Sequence, residues 1–274
     1  MNGIVINIDP VIFHVGGFAL TWYSLAIILG ILAGILVALR EGRRKGIGKE
    51  DIYALALWGI IGGFIGARLF HVVENLDYYG ANLWAIFAFQ KGGLAIWGGV
   101  AGGALAVALY AKRRSLPLAR LADGAVPALL VGQIIGRIGC IVNGDAYGGT
   151  TGLPWGFVYS HPDALIPGHL WGVPTHPYPV YEMIWNLAIL LSLWMVRTRL
   201  KTEGLLFFSY VFLYSIGRLL LSFVRQEKVW FWGLQEAQVV ALIALVVSIL
   251  ATVYLLRKRE RRTRQKPLTE GYGS

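Results

Sequence analysis

The sequence predicts an all-α polytopic membrane protein with about seven transmembrane helices, an N-terminus outside the cytoplasm, a cytoplasmic C-terminus and a small extracytoplasmic head. Hydrophobic residues make up 56% of the 274 and charged residues only 15%, which excludes an ordinary soluble domain. About seven apolar stretches reach the roughly 20 residues that cross a bilayer. Lysine and arginine concentrate in alternate loops.

The predicted spans follow one another with short polar connections. They are Ala19–Leu39, Asp51–Val73, Gly93–Ala111, Leu121–Val142, Pro179–Val196, Gly204–Val224 and Leu234–Leu256. Glycine pairs four residues apart recur at 30/34, 62/66, 98/102 and 132/136, and such pairs are typical of close helix packing in lipid. The first 21 residues lack the charged region and cleavage site of a signal peptide, so we expect the first helix to be retained.

Basic residues cluster after the first, third, fifth and seventh predicted helices. Because cytoplasmic loops carry the excess of lysine and arginine, these four regions are predicted to face the cytoplasm. The glycine- and proline-rich segment 143–178 has no lysine or arginine and is predicted to be an extracytoplasmic head or lid. Residues 1–266 are then a single transmembrane domain, and 267–274 a disordered tail.

The formal net charge of +10 follows from this arrangement, since cytoplasmic anchors face anionic membrane lipids. A basic tail that binds nucleic acid is the weaker alternative. A single cysteine, Cys140, excludes an internal disulfide. The five histidines are not spaced as metal ligands, and neither a metal nor a cofactor is expected. They are His14, His71, His161, His169 and His176.

Six of the 25 basic residues depart from the cytoplasmic pattern: Arg68, Lys91, Arg137, Arg218, Arg225 and Lys228. Arg68, Arg137 and Arg218 each precede the predicted outer end of a helix by five or six residues, a depth on the order of 8 Å. One such arginine could simply snorkel to the head groups. Three at one depth favour a converging anion site in the outer leaflet, because a guanidinium grips phosphate bidentately and stays charged.

Two acidic residues could belong to that site, and each has an alternative role. Asp145 either orients Arg137 or binds a glycerol hydroxyl, or it is an ordinary turn carboxylate. Glu182 either pairs with an arginine or caps the N-terminus of the fifth predicted helix through the dipole, and the second is favoured.

The segment 136–149, GRIGCIVNGDAYGG, resembles the signature of the prolipoprotein diacylglyceryl transferase family. That signature reads Gly-Arg-x-Gly-Asn-Phe-x-Asn-x-Glu. Cys140 replaces its asparagine, Ile141 its phenylalanine and Asp145 its glutamate.

Similarity to this family extends along nearly the whole chain. It includes 20–23 (LTWY), 66–69 (GARL), 175–182 (THPYPVYE) and 214–218 (YSIGR) followed by Arg225. The resemblance implies that Arg137 and Arg218 are catalytic and bind phosphatidylglycerol. It further implies phosphatidylglycerol binding by Tyr23, Asn143, Asp145, Tyr214 and Arg68, and supporting roles for Arg225, Glu182, His176 and Gly148.

The implied reaction moves diacylglyceryl from phosphatidylglycerol to the lipobox cysteine of a prolipoprotein, forming a thioether and releasing glycerol phosphate. The implied partners are phosphatidylglycerol, prolipoprotein signal peptides and membrane lipids, without nucleic acid. The implied location is the bacterial cytoplasmic (inner) membrane, with the active site toward the outer leaflet. The substrate supplies the nucleophile, so the enzyme needs none of its own.

Two positions depart from the family pattern in ways that affect the chemistry. Ser222 stands where a glutamate is frequent, so a salt bridge there is not implied. Trp97 stands where many members have a histidine favoured as a general base, and tryptophan cannot take a proton. We expect nearby arginines to lower the pKa of the substrate thiol from about 8.5, with Asp145 or water taking the proton. His71 and His176 are the alternative bases.

Other membrane functions are less well supported. An anion or lipid transporter would carry positive residues along a whole path, whereas these lie at outer helix ends. A seven-helix receptor shares the helix number and orientation, but the last predicted helix has no lysine for retinal. An intramembrane serine protease lacks its Gly-x-Ser-x-Gly element.

Overall fold

The computed structural model describes residues 3–16, 18–88, 92–225, 229–231 and 233–264. Each predicted span becomes one long helix. These are α1 (Trp22–Arg44), α2 (Lys49–Glu74), α4 (Ile96–Arg113), α5 (Leu118–Asn143), α6 (Tyr178–Val196), α7 (Leu205–Ser222) and α8 (Glu236–Arg264), with the short α3 (Leu76–Ala81) after α2.

Among the described residues, six helices are long and apolar enough to cross a membrane, and the prediction of an all-α polytopic membrane protein is confirmed. α4 is not one of the six. Its 18 residues include four glycines and end in Lys112 and Arg113, which lowers its hydropathy. A membrane crossing by α4 therefore stays a prediction.

Short strands precede and interrupt the helices: β1 (Ile4–Ile6), β2 (Val11–Val15), β3 (Phe18–Thr21), β4 (Phe157–Tyr159), β5 (Val229–Phe231) and β6 (Leu234–Gln235). The predicted start of the first helix at Ala19 is wrong, because residues 18–21 pair with β2. The Thr21 hydroxyl then accepts a hydrogen bond from the Ser24 amide at 3.1 Å, which caps the start of α1. The last helix likewise begins at Glu236 rather than Leu234, since 234–235 form β6.

The chain forms two compact units. The first comprises residues 1–34 and 125–274, and the second comprises residues 35–124. In the second unit, α2 and α4 pack through the predicted glycine pairs. A Cβ on Gly62 would lie 2.8 Å from the Gly102 carbonyl oxygen, and one on Gly66 would collide with the Gly98 carbonyl. Only glycine permits this backbone approach.

In the first unit, glycines likewise allow α1 and α5 to pack closely. A Cβ on Gly30 would lie 3.0 Å from the Gly132 carbonyl oxygen, and one on Gly34 would lie 3.3 Å from that of Ala128. Close packing at these predicted glycines is confirmed, whereas a Cβ on Gly136 would meet no described atom within 4 Å. α6 and α7 bury Ile189, Leu193 and Leu206 with Val126 and Leu130 of α5.

The segment between α5 and α6 folds against the N-terminal residues. β1 pairs in parallel with β4, in the register Ile4↔Phe157 to Ile6↔Tyr159. Tyr159 is buried, donates its hydroxyl hydrogen to the Ile141 carbonyl at 2.9 Å, and has its phenol pKa raised by burial. The predicted head therefore has an N-terminal part that hydropathy did not predict. The predicted tail, 267–274, lies outside the described residues.

Candidate functional site

Tyr178, the first residue of α6, lies at the centre of a cluster of arginines in the first unit. Its side chain is fully buried. The guanidinium carbons of Arg137 and Arg218 lie 5.8 Å from its ring centroid, and that of Arg225 lies 4.8 Å away. Arg218 also donates a hydrogen bond from Nη1 to the Tyr178 hydroxyl oxygen. All three distances are within the range of cation–π attraction.

Local structure explains why these groups meet. Arg137 lies six residues before the end of α5, Arg218 four residues before the end of α7, and Arg225 just beyond α7. Prolines on either side of Tyr178 favour the start of a helix there, which places its ring at the N-terminus of α6. Of the three arginines predicted to converge, Arg137 and Arg218 meet here with Arg225 as a third member, whereas Arg68 belongs to the second unit.

Glu182 lies one helical turn beyond Tyr178 and supplies a carboxylate to the cluster. Its Oε2 forms a 2.7 Å ion pair with Arg137 Nη2, and its side chain is only 5% exposed. Tyr214 Oη donates a long hydrogen bond of 3.4 Å to the other oxygen. The favoured interpretation of Glu182 as a helix cap is wrong, because it is the fifth residue of α6. The alternative, pairing with an arginine, is confirmed, and it offsets one of three guanidinium charges.

Asn143 and Asp145 form a local turn at the end of α5. Asn143 Nδ2 donates a 2.9 Å hydrogen bond to Asp145 Oδ1, and Asp145 is exposed. This contact is that of a turn carboxylate, while Glu182 is the ion-pair partner of Arg137. Binding of a glycerol hydroxyl by Asp145 stays a prediction.

Gly148 connects the head to the end of α7. Its amide donates to the His176 carbonyl at 3.1 Å, the next amide donates to the Val224 carbonyl at 2.8 Å, and Gly148 forms a β-bridge with Arg225. A Cβ on Gly148 would lie 2.7 Å from His176 Cβ. Gly148 therefore lies between His176 and the residues that follow α7, and its supporting role stays a prediction.

Tyr23 packs beside Tyr178 in a cluster with Cys140, Ala146 and Leu221. A Cβ on Gly139 would lie 2.8 Å from the Tyr23 Cα, so the second glycine of the arginine motif brings α5 against the start of α1. Cys140 is buried, and its sulfur lies 3.6 Å from Arg137 Nη1.

The two candidate bases have different surroundings. His176 is half-buried, and its Nδ1 lies 3.2 Å from the Tyr181 hydroxyl, which also accepts a 3.0 Å hydrogen bond from Trp155 Nε1. His71 belongs to the second unit, where its ring centroid lies 5.9 Å from that of Tyr79 in an edge-to-face arrangement. Trp97 belongs to that unit too. A base role for either histidine stays untested.

Arg68, also in the second unit, is held by main-chain oxygens. It donates to the carbonyls of Ala85, Ile86, Gly92 and Gly93 at 2.6 to 3.0 Å. With 3% of the residue exposed, it does not extend to the surface as a snorkelling side chain would. Contact with phosphatidylglycerol stays a prediction for Arg68. Lys91 and Lys228 lie outside the described residues.

Sequence reasoning missed three features of the first unit. The sequence did not indicate that Tyr178 belongs to the site, because a tyrosine at the start of a helix is common and its neighbours in space were not known. Ser222 accepts a 2.9 Å hydrogen bond from Gln238 Nε2, a neutral pair at a position where the family often has glutamate. Ligand atoms of Asp9, His161 and Asp163 lie within 4.8 Å of one another, which chain spacing did not indicate because the β1–β4 pairing brings these residues together.

Comparisons with known proteins agree with the motifs. The family "Prolipoprotein diacylglyceryl transferase" matches residues 10–254. The phosphatidylglycerol–prolipoprotein diacylglyceryl transferase of Clostridioides difficile (strain 630) is 37% identical over 252 residues, 92% of this chain and 97% of that protein. The proteins of the same name from Dehalococcoides mccartyi (strain CBDB1) and Lysinibacillus sphaericus (strain C3-41) are each 34% identical, over 93% and 97% of this chain and 97% of each relative.

The match covers the arginine motifs of α5 and α7 and the segment that enters α6, whose residues meet around Tyr178. By the extent of this match and by its near full-length relatives, the chain belongs to the prolipoprotein diacylglyceryl transferase family.

Proposed function

We propose that this protein transfers the diacylglyceryl group of phosphatidylglycerol to the cysteine thiol of prolipoproteins. The observation that carries the proposal is the meeting of three guanidinium groups around Tyr178 in a chain of this family. Guanidinium groups bind phosphate oxygens through paired, charge-assisted hydrogen bonds. The lipid phosphodiester is therefore the substrate group that best matches the cluster.

In the proposed reaction, the substrate sulfur bonds to the glyceryl carbon that bears the phosphate. The bond from that carbon to oxygen breaks, its electron pair leaves with glycerol phosphate, and the thiol proton passes to Asp145 or water. Arg137 and Arg218 bind the phosphate and stabilise the charge that gathers on it as it departs. Positive charge beside the thiol also raises its thiolate fraction.

Glu182 keeps Arg137 in place for this task. Its ion pair at 2.7 Å fixes the plane of the guanidinium, so little side-chain entropy is lost when phosphate binds. Tyr178 restrains Arg218 in the same way through its hydroxyl. Tyr23 packs beside Tyr178 and Tyr214 donates to Glu182, and Asn143, which donates to Asp145, is proposed to bind the lipid with them.

The distribution of basic loops supports the proposed location of the site. The arginine cluster lies near the ends of α5 and α7 that are opposite the basic loops, and because cytoplasmic loops carry the excess of lysine and arginine, this supports a site toward the outer leaflet of the bacterial cytoplasmic membrane. A prolipoprotein signal peptide would present its cysteine there. Basic loops on the cytoplasmic side would face anionic lipid, so nucleic acid is not a proposed partner.

A two-label experiment tests the proposal. Purified protein is incubated with phosphatidylglycerol labelled in the diacylglyceryl group or in the head-group glycerol, together with a lipobox peptide. The first label should appear in a thioether-linked peptide and the second in free glycerol phosphate. A peptide with serine in place of cysteine is the matched control and should remain unlabelled. No transfer to the cysteine peptide by folded protein would refute the proposed function.

A further inference from the structure

Arg225 supplies the third guanidinium of the cluster around Tyr178, one more than the two proposed to bind phosphate. Its guanidinium carbon lies 4.8 Å from the Tyr178 ring centroid, and those of Arg137 and Arg218 lie 5.8 Å from it. The electrostatic attraction of Glu182 extends to both Arg137 and Arg218. Three permanently charged donors thus lie within 5.8 Å of one point.

The three arginines are also accessible from outside the protein. Each is half-buried, and the Arg137 side chain keeps 21% of its surface exposed although it is paired with Glu182. Tyr178, by contrast, is fully buried. An anion can therefore reach the arginines without entering the buried interior.

Main-chain contacts hold Arg225 in place independently of its guanidinium. The Arg225 amide donates to the Leu221 carbonyl at 3.1 Å, and its carbonyl accepts a 3.1 Å hydrogen bond from Gln235 Nε2. Gly148 forms a β-bridge with the same residue. Because these contacts involve only the main chain of Arg225, replacing its side chain leaves them intact.

The proposed reaction changes the number of charged oxygens on the phosphate. The phosphodiester of phosphatidylglycerol has two terminal oxygens, which share one negative charge. When the substrate sulfur bonds to the glyceryl carbon, the bond from that carbon to oxygen breaks. The electron pair of that bond makes the oxygen the third terminal oxygen of glycerol phosphate. This product is a phosphate monoester, whose charge near pH 7 is about −1.5 to −2.

We propose that Arg225 is a catalytic residue that binds the oxygen released from the glyceryl carbon, so that the cluster binds phosphate monoesters more tightly than the lipid phosphodiester. The inference rests on the proposed function, because it takes glycerol phosphate as the leaving group. An interaction that strengthens only as the bond breaks accelerates the chemical step and leaves binding of the lipid unchanged. The same interaction retains the product, so soluble phosphate monoesters compete with phosphatidylglycerol for the site.

Glycerol phosphate and its methyl ester are the matched ligands, because methylation removes the third charged oxygen and retains the glycerol. Their dissociation constants are measured by calorimetry with full-length protein in detergent at about pH 8, where the monoester is fully charged. We expect wild type to favour glycerol phosphate by about 10- to 100-fold, the contribution of one charge-assisted hydrogen bond. In the transfer assay, glycerol phosphate should inhibit competitively with phosphatidylglycerol.

Arg225→Gln should reduce that preference to near one by weakening glycerol phosphate alone. Its kcat should fall by about 10- to 100-fold while the KM for phosphatidylglycerol changes less than about threefold, as for loss of an interaction made only in the transition state. Arg197→Gln is the matched control, because it removes a guanidinium that stacks on Trp194 at the other end of α6. Its preference should equal that of wild type, and thermal unfolding in detergent reports whether each variant is folded.

Three results would overturn the inference: equal binding of the two esters by wild type, an unchanged preference in folded Arg225→Gln, or a loss of equal size for both esters. The wild-type comparison decides the matter if Arg225→Gln does not fold. Calorimetry also separates the inference from the proposed function. If wild type binds glycerol phosphate selectively and transfers nothing, the proposed function fails and the preference for monoesters stands. If it transfers diacylglyceryl and binds both esters equally, the inference fails and the proposed function stands.

Discussion

Arg68 and Arg137 are alike in sequence and different in their surroundings. Each follows a glycine pattern near the end of a predicted outward-running helix. Arg68 donates to main-chain carbonyls of the segment 85–93, whereas Arg137 contacts the carboxylate of Glu182 and the ring of Tyr178. The predicted depth in the membrane therefore does not distinguish the two residues. They differ in whether their partners are main-chain carbonyls or side chains.

The difference has a physical consequence for each unit. Main-chain carbonyls that are withdrawn from water need hydrogen-bond donors, and Arg68 donates to several of them from one side chain. Its hydrogen bonds join two chain segments and contribute to folding. Glu182 and Tyr178 instead hold the Arg137 guanidinium beside those of Arg218 and Arg225, where an anion could bind. We therefore expect loss of Arg137 to reduce activity and loss of Arg68 to reduce stability.

The sharpest test replaces Arg137 or Arg218 by lysine. Lysine keeps the charge but lacks the planar fork, so transfer to a lipobox peptide should fall about 10²- to 10³-fold, the cost of removing a donor to developing charge. Thermal unfolding should change little. Arg197→Lys is the control, because Arg197 stacks on Trp194 at the other end of α6 and its replacement should leave turnover near wild type. Normal turnover in Arg137→Lys or Arg218→Lys would remove that arginine from the site.

Replacing Glu182, the acidic member of the ion pair with Arg137, should reduce both stability and activity. Glu182→Gln leaves Arg137 without its charge partner in a buried site, and breaking such a pair costs about 3 kcal/mol of unfolding free energy. Transfer per folded molecule should fall by about tenfold, since Arg137 is no longer held in place. Denaturation in mixed detergent micelles and peptide labelling measure the two effects. Unchanged stability and activity would mean that the pair positions nothing.

Arg68→Lys should show the opposite pattern to Arg137→Lys. A lysine cannot reproduce hydrogen bonds to four carbonyls, and we expect a loss of about 2 kcal/mol, the contribution of one or two charge-assisted hydrogen bonds. Activity per folded molecule should fall less than tenfold. Unfolding midpoints and single-turnover transfer, each normalised to folded protein, make the comparison. A large activity loss with normal stability would place Arg68 with Arg137 as a lipid-binding residue.

The smallest effects are expected at the positions considered for a general base. Trp97→Phe, His71→Ala and His176→Ala should each retain more activity than Arg137→Ala, because arginine-assisted thiol ionisation is expected to replace a protein base. Base catalysis contributes about 10²- to 10⁴-fold. A loss of that size in either histidine variant, with folding intact, would identify the base and contradict this account.

The long helices were predictable from local properties. Hydropathy over about 20 residues predicts each helix without reference to the rest of the chain, and all seven stretches became helices. The starts of α1 and α8 were misplaced by two or three residues because strands 18–21 and 234–235 pair with neighbouring strands. Strand pairing depends on a partner elsewhere in the chain, so a hydropathy window cannot show it.

The arginine motifs and the family were also readable from sequence, since they depend on the order of residues in 136–149 and 214–218. The side chains that each arginine contacts could not be predicted from the sequence. Glu182 pairs with Arg137 rather than capping α6. Three guanidinium groups lie around the Tyr178 ring, and Arg68 donates to carbonyls of its own unit. Periodicity places a residue on its helix, but its partners depend on how closely glycines let helices approach and where the head returns the chain at Gly148. Only the tertiary structure determines those distances.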